Sequence, residues 1–179
     1  HGDLFYKKMW VSLSKKGSWE GEVWNTHKNG SLFAVWLNIN TIYTDEGTVS
    51  QRVALFYDIT EKKKSDELIW QQANFDLLTQ LPNRHMFQDR LAQEISKSHR
   101  ETLPLALLFI DLDHFKEIND TLGHQLGDLL LTEAARRIVA CVRDSDTVAR
   151  LGGDEFTVIL AKLNDTLSIE RITLAIIKA

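Results

Sequence analysis

Cysteines and long apolar runs are scarce in this sequence. Cys141 is the only cysteine among 179 residues, which excludes an internal disulfide framework and a cysteine-based zinc cluster. No apolar run approaches the roughly 18 residues that cross a bilayer, and residues 1–10 lack the basic-then-apolar pattern of a secretory signal. We therefore expect a reducing, cytoplasmic location, with a membrane segment upstream of residue 1 left open.

The sequence also has no excess of positive charge. Its 21 Lys and Arg residues face 25 Asp and Glu residues, which gives a formal net charge of −4. Residues 1–75 carry equal numbers of basic and acidic side chains, so the negative excess falls in residues 76–179. Such a surface does not attract polyanions, which argues against nonspecific nucleic-acid binding. Any phosphate chemistry in this part needs metal ions.

The first 60 residues predict a small antiparallel sheet. Asn29-Gly30 is a strong hairpin signal between two of three strand-like segments, and a helical pattern over Leu4–Leu13 precedes them. The sheet is thin, so we expect further partner strands before residue 1. The predicted strands are Trp19–Thr26, Ser31–Ile39 and Val49–Ile59.

A connecting helix and an α/β domain are predicted to follow. Thr60 can cap a helix over residues 61–75, and from Asp76 helical and strand patterns alternate to Ala179. The domain boundaries are therefore 1–60, 61–75 and 76–179. The apolar run Leu105–Ile110 predicts a strand buried on both faces. Further strands are predicted at Thr147–Leu151 and Phe156–Leu160, and helices at Arg84–Ser96, Leu126–Cys141 and Leu167–Ala179.

Two acidic clusters occur where strands end. Asp111 and Asp113 end the apolar strand, and Asp154-Glu155 follows the glycine pair Gly152-Gly153. An aspartate after a strand is commonly a helix cap and Gly-Gly an ordinary hairpin turn, so each cluster alone favours a structural role. Together they predict converging carboxylates that bind Mg²⁺ and, through it, phosphate. The histidines have no zinc spacing.

Four segments resemble the GGDEF family of diguanylate cyclases, which condense two GTP molecules into cyclic di-GMP. The name-giving motif lies in Arg150–Phe156, and the order of the segments is that of the family. The resemblance implies a nucleotidyl-cyclase-like α/β domain and, because each domain holds one GTP, an active homodimer. The other matching segments are Asp76–Arg84, Phe109–Asp120 and Gly123–Asp128.

The resemblance implies a two-metal phosphoryl-transfer site that uses Mg²⁺ or Mn²⁺. Asp111, the Leu112 carbonyl and Glu155 would bind the metal. Asp154 would be the catalytic residue, either as a further metal ligand or as proton acceptor from the attacking 3′-hydroxyl. Asp113 also fits the motif. Its role could be limited to bracing the loop, so it is not counted among the metal ligands.

The resemblance also implies a nucleotide pocket. Asn119 and Asp128 would bind the guanine, and His124 would lie beside the nucleotide. Without the resemblance, Asn119 is a turn residue, Asp128 a helix N-terminal acid and His124 an exposed loop histidine. The backbone amides of Phe115 and Lys116 would face the phosphates, and the hairpin glycines Gly152 and Gly153 would leave room for the α-phosphate.

Arg143 and Asp146 match an inhibitory product site of the family. An arginine can bind guanine or phosphate through two hydrogen bonds, and an aspartate accepts from guanine nitrogens. The alternative for this short motif is a surface ion pair.

Residues 1–60 resemble the later half of a PAS sensor domain, on the evidence of Gly17–Glu22, Lys28–Gly30 and Asp58–Thr60. The two resemblances together imply a PAS-regulated diguanylate cyclase. Both are partial, so we expect a fragment with little or no cyclase activity. The alternative is a non-catalytic module that senses GTP or cyclic di-GMP and regulates an attached EAL-type phosphodiesterase.

Overall fold

The computed structural model describes residues 2–163, 165 and 167–179 and contains helices and antiparallel sheets. The chain divides into two compact units, His1–Ile69 and Trp70–Ala179. The elements in chain order are α1 (Asp3–Lys16), β1 (Ser18–Thr26), β2 (Leu32–Tyr43), β3 (Val49–Asp58), α2 (Thr60–Asn74), α3 (Arg84–Glu101), β4 (Ala106–Asp111), α4 (Phe115–Leu122), α5 (His124–Ala140), β5 (Thr147–Gly152), β6 (Glu155–Leu160) and α6 (Leu167–Lys178).

The first unit is a three-stranded antiparallel sheet in the order β1-β2-β3, with α1 packed on β1 and β2. Met9 and Leu13 of α1 and Val23 of β1 are buried. The adjacent β2 residues Ala34 and Val35 are buried too, although successive residues of a strand point to opposite faces of the sheet. The predicted hairpin is confirmed, since Thr26 pairs with Leu32 across a loop that contains Asn29-Gly30. β3 is exposed along its whole length.

The predicted connecting helix is present as α2, but Thr60 does not cap it. Thr60 is the first residue of the helix, and its hydroxyl oxygen accepts a hydrogen bond from the Ala34 N–H at 3.0 Å. The Thr60 N–H instead donates to the Asp58 carboxylate at 2.8 Å. The hydroxyl that the sequence predicted to cap α2 is therefore hydrogen-bonded to the backbone of β2.

The second unit is built on a three-stranded antiparallel sheet in the order β4-β6-β5. The central strand β6 alternates between two cores: Phe156, Val158 and Leu160 pack on one face with Leu131 of α5, and Ile159 packs on the other with Phe87 of α3. Helices on both faces of the sheet thus bury β6 completely from Phe156 onward.

β4 departs from the sequence expectation of a strand buried on both faces. Among the described strands it lies at the edge of the sheet and pairs with β6 alone, and Phe109 is 71% exposed. An unbroken apolar run therefore did not imply complete burial here. The short helix α4 was not predicted as a helix, because its eight residues are too few to reveal a helical period.

The helices that the structure describes include none long and apolar enough to span a membrane.

Candidate functional site

Asp111 and Glu155 are directly opposite each other at one end of the sheet. Antiparallel pairing of β4 with β6 makes them register partners, and both are exposed. Directly opposed residues have Cβ atoms about 5 Å apart on one face, where like charges repel. The two carboxylates can lower this repulsion by sharing a cation.

The β5–β6 hairpin places Asp154 beside this pair. Gly153 and Asp154 form the turn between Gly152 and Glu155, which are themselves register partners. Gly152 has φ 141° and Gly153 has φ 54°, values that side-chain-bearing residues rarely adopt. Apart from the adjacent residues, no atom of the described residues lies within 4 Å of the position that a Cβ would take at either glycine, so the turn is open to an approaching ligand.

The donor set fits a magnesium ion in part. Carboxylate and carbonyl oxygens are the ligands of this hard cation, which keeps several waters and is completed by substrate phosphates. The Leu112 carbonyl accepts from the Phe115 N–H at 3.2 Å, which leaves its second lone pair available. Within the described residues, no three His, Cys, Asp or Glu side chains could hold a metal by themselves. The residues present therefore offer oxygen ligands of the kind that Mg²⁺ prefers.

Glu155 also has a cationic neighbour. The guanidinium of Arg84, at the start of α3, lies 3.7 Å from the Glu155 carboxylate, and both side chains are more than half exposed. Solvent screens an ion pair of this kind, so it holds Glu155 only weakly.

Arg150 braces the hairpin turn. Its Nε and one terminal nitrogen donate to the Gly153 carbonyl at 2.9 and 2.7 Å, and its other terminal nitrogen donates to both Asp76 carboxylate oxygens at 2.9 and 3.1 Å. The Arg150 side chain is only 10% exposed and that of Asp76 22%. The turn that carries Asp154 is thus fixed to a segment far away in the sequence.

Asp76 is held ionised by this network. Burial raises its pKa, but hydrogen bonds from the Thr79 N–H and hydroxyl, together with the Arg150 guanidinium, outweigh burial and lower the pKa below 3.8. Neither Asp76 nor Arg150 has a role that the sequence alone predicts. Their membership of two matching segments was the available signal, but sequence does not show that they pair.

The Asp76–Asn83 segment also joins two helices. The Asn83 side-chain oxygen accepts from the N–H groups of His85 and Met86 and so caps α3, while its amide nitrogen donates to the Ala73 carbonyl of α2 at 2.9 Å. The Pro82 carbonyl accepts from the Arg150 N–H at 3.0 Å. The end of α2, the start of α3 and the hairpin are therefore linked by hydrogen bonds.

The predicted nucleotide residues lie around the junction of α4 and α5. Phe115 is buried and Lys116 exposed at the start of α4, and His124 and Asp128 are exposed on the first turns of α5. Because the Phe115 N–H donates to Leu112, that amide is already engaged. The Asn119 side chain lies against Gly127, the residue that precedes Asp128.

The Arg143–Asp146 turn differs from the alternative of a surface ion pair. One Asp146 carboxylate oxygen accepts from the Arg143 N–H at 3.1 Å and the other from the Ala161 N–H at 3.2 Å. In the part of the chain that is described, no salt bridge joins the two side chains. The exposed Arg143 guanidinium is thus not neutralised by Asp146.

The sequence profile described as diguanylate cyclase, GGDEF domain, matches residues 73–179. The chain belongs to the GGDEF family. Among curated relatives, the diguanylate cyclase TpbB of Pseudomonas aeruginosa is 54% identical over 92 residues, which cover 51% of this chain and 21% of TpbB. The bifunctional diguanylate cyclase/cyclic di-GMP phosphodiesterase MucR of the same organism is 50% identical over 101 residues, 56% of this chain and 15% of MucR. The GGDEF chain therefore matches about a fifth or less of these proteins' lengths.

Solved structures agree with this family membership and with the mixed α and β fold. The GGDEF domain of TpbB from Pseudomonas aeruginosa has a TM-score of 0.57 at 50% identity, covering 58% of this chain and 60% of that one. The coiled-coil and GGDEF domain of DgcB from Caulobacter crescentus, in complex with cyclic di-GMP, has a TM-score of 0.57 at 30% identity, covering 64% and 61%.

Proposed function

We propose that this GGDEF domain acts in a diguanylate cyclase that condenses two GTP molecules into cyclic di-GMP with Mg²⁺ or Mn²⁺. The observation that carries the proposal is the cross-strand pair Asp111–Glu155 beside the open turn of Asp154. TpbB, which shares 54% identity, is named a diguanylate cyclase.

In the proposed reaction, the 3′-hydroxyl of one GTP attacks the α-phosphorus of the other and displaces pyrophosphate, and a second such step closes the ring. Asp111, Glu155 and the Leu112 carbonyl hold the divalent metal, with Asp154 as a further ligand. When bound, the metal lowers the pKa of the hydroxyl and stabilises negative charge on the phosphate. Alternatively, Asp154 takes up the hydroxyl proton, since the turn that carries it adjoins Glu155 of the pair.

The remaining site residues bind and orient GTP. Asn119 and Asp128 hydrogen-bond the guanine, with His124 beside the nucleotide. Lys116 and its backbone amide at the start of α4 face the phosphates, since the N-terminus of a helix carries partial positive charge, whereas the Phe115 amide already donates to Leu112. Gly152 and Gly153 leave the α-phosphate room to approach the turn.

The proposed active form is a dimer under two kinds of regulation. Each domain holds one GTP, and the reaction needs two. Two domains must face each other, so the active form is a homodimer. Residues 1–60 act as a PAS-type sensor, and α2 transmits its state to the GGDEF domain through the Asp76–Asn83 segment. Cyclic di-GMP inhibits by binding Arg143 and Asp146. Because GTP is a nucleotide of the cytoplasm, we place the domain there.

A second candidate is a non-catalytic module that binds GTP or cyclic di-GMP and regulates an attached EAL-type phosphodiesterase. The 50% identity to MucR, which is named bifunctional, favours such an attachment. For the 179-residue chain alone we propose little cyclase activity, because β4 is an uncovered edge strand with Phe109 71% exposed.

The deciding experiment measures cyclic di-GMP formation from GTP and Mg²⁺ by the full-length protein and by its Asp154→Asn variant. The expected result is a loss of turnover of at least about 100-fold with GTP binding retained. Asp89→Asn, which changes an exposed aspartate of α3, is the matched control. Unchanged turnover in Asp154→Asn would remove Asp154 from catalysis. GTP binding without turnover in the unmodified protein would favour the sensing module.

A further inference from the structure

Gly127 stands inside α5, where alanine is the better helix former. It is buried in the contact between α4 and α5. A glycine inside a helix lowers stability unless close packing requires it, so the neighbours of Gly127 indicate what it does.

The Asn119 side chain occupies the space that a larger residue at Gly127 would need. A Cβ at Gly127 would lie 1.9 Å from Asn119 Oδ1, 3.0 Å from Asn119 Cγ and 3.4 Å from Phe115 Cζ. The first distance is far inside van der Waals contact. Because Oδ1 ends a rotatable side chain, an added methyl group would turn the carboxamide away without separating the helices.

The contact with Gly127 is what orients this carboxamide. Asn119 is half-buried, and among the described residues its side chain makes no hydrogen bond that could fix its direction. Its backbone is held by the hydrogen bond from the Gly123 N–H to the Asn119 carbonyl at 2.9 Å. The backbone therefore stays in place when the side chain is displaced.

We infer that Gly127 is a positioning residue for base selectivity: by having no side chain, it sets the direction in which Asn119 presents its amide to the purine. The inference rests on the proposed role of Asn119 in guanine binding. An amide offers a donor and an acceptor together, and guanine presents both kinds of group, whereas adenine has an amino group where guanine has its O6 acceptor. Turning the amide removes this match without changing the phosphate or metal contacts.

The test compares GTP and ATP binding to the full-length protein and its Gly127→Ala variant, by calorimetric titration with Mg²⁺. We expect the preference for GTP over ATP to fall about tenfold, equivalent to about 1.4 kcal/mol, with ATP affinity unchanged. The melting temperature should stay equal or rise, since alanine favours the helix. Gln125→Ala, an exposed position of the same helix, is the matched control and keeps the preference.

Asn119→Ala separates this inference from the proposed function. It should reduce the preference by itself, and Gly127→Ala should have no further effect in that background because the displaced group is gone. If Asn119→Ala leaves the preference intact, the proposed guanine contact is wrong. If Asn119→Ala reduces it but Gly127→Ala does not, or if the two effects add, the positioning role is wrong.

A folding failure of Gly127→Ala is also informative. The double variant Gly127→Ala/Asn119→Ala removes the Asn119 atoms that the new methyl group would overlap and leaves Phe115 Cζ at 3.4 Å, an ordinary contact distance, so it should fold. If the double variant fails to fold as well, Gly127 is required for something other than Asn119, and the inference is overturned.

Discussion

Asp76 and Arg150 form an ion pair at 2.9 Å across a separation of 74 residues, and the same guanidinium holds the Gly153 carbonyl in the hairpin turn. The pair is largely shielded from solvent, so salt screens it less than it screens the exposed ion pairs on the helices. One side chain thus connects the loop after α2 to the turn that carries Asp154. Several measurable consequences depend on this connection and on the carboxylate pair beside it.

Arg150→Lys should destabilise the hairpin although the charge is kept. A lysine has a single ammonium group and cannot reach both the Asp76 carboxylate and the Gly153 carbonyl in the geometry of a planar guanidinium. We expect the free energy of unfolding in urea to fall by about 1–3 kcal/mol, with faster amide exchange around Gly153. Arg100→Lys, at an exposed position of α3, is the control. Equal stability of the two variants would contradict the bracing role.

The Asp76 carboxylate should make stability depend on pH in the acid range. Its pKa in the folded protein lies below 3.8, so its contribution is fully present above that pH and is lost as the pH falls through the folded pKa. Asp76→Asn should therefore be less stable than the unmodified protein at pH 7, and the difference should shrink below about pH 4. Urea denaturation of both proteins from pH 7 to pH 3 measures this difference in the free energy of unfolding. A difference that stays constant with pH would exclude this titration.

Asp111→Asn should have opposite effects without and with metal. Removing one of two opposed carboxylates relieves repulsion with Glu155, so stability without metal should rise by up to about 1 kcal/mol. The stabilisation by Mg²⁺ and GTP together should be lost, since a ligand oxygen is gone. Thermal denaturation with and without Mg²⁺ and GTP tests both effects. Asp113→Asn, which lies outside the strand, should respond to Mg²⁺ like the unmodified protein.

Gly153→Ala should destabilise through backbone conformation alone. No atom lies near the new methyl group, but φ is 54°, where an L-residue loses about 1–2 kcal/mol. Gly153→Asn is the matched comparison, because asparagine tolerates this region better and should lose less stability. Equal losses in urea denaturation would indicate that the side chain, and not φ, sets the effect.

Local patterns in the sequence were sufficient for most elements. The hairpin at Asn29-Gly30, the helices α3, α5 and α6 and the strands β5 and β6 were predicted within a few residues, because turn residues and hydrophobic periods act over short distances. The helix α4 was not predicted, because it is too short to show a helical period. The exposure of Phe109 was not predicted either, because it depends on which strands lie beside β4.

The candidate site shows the same division. Sequence alone determined which residue types were available: carboxylates at a strand end and at a glycine turn, and the segments that identify the GGDEF family. Tertiary structure decided which of them meet, because strand register, the fit of Asn119 against Gly127 and the path of the Arg150 guanidinium depend on atoms that are distant along the chain. The sequence shows that Asp76 is charged. Only the fold shows that it lies beside the hairpin, because its partner Arg150 is 74 residues away along the chain.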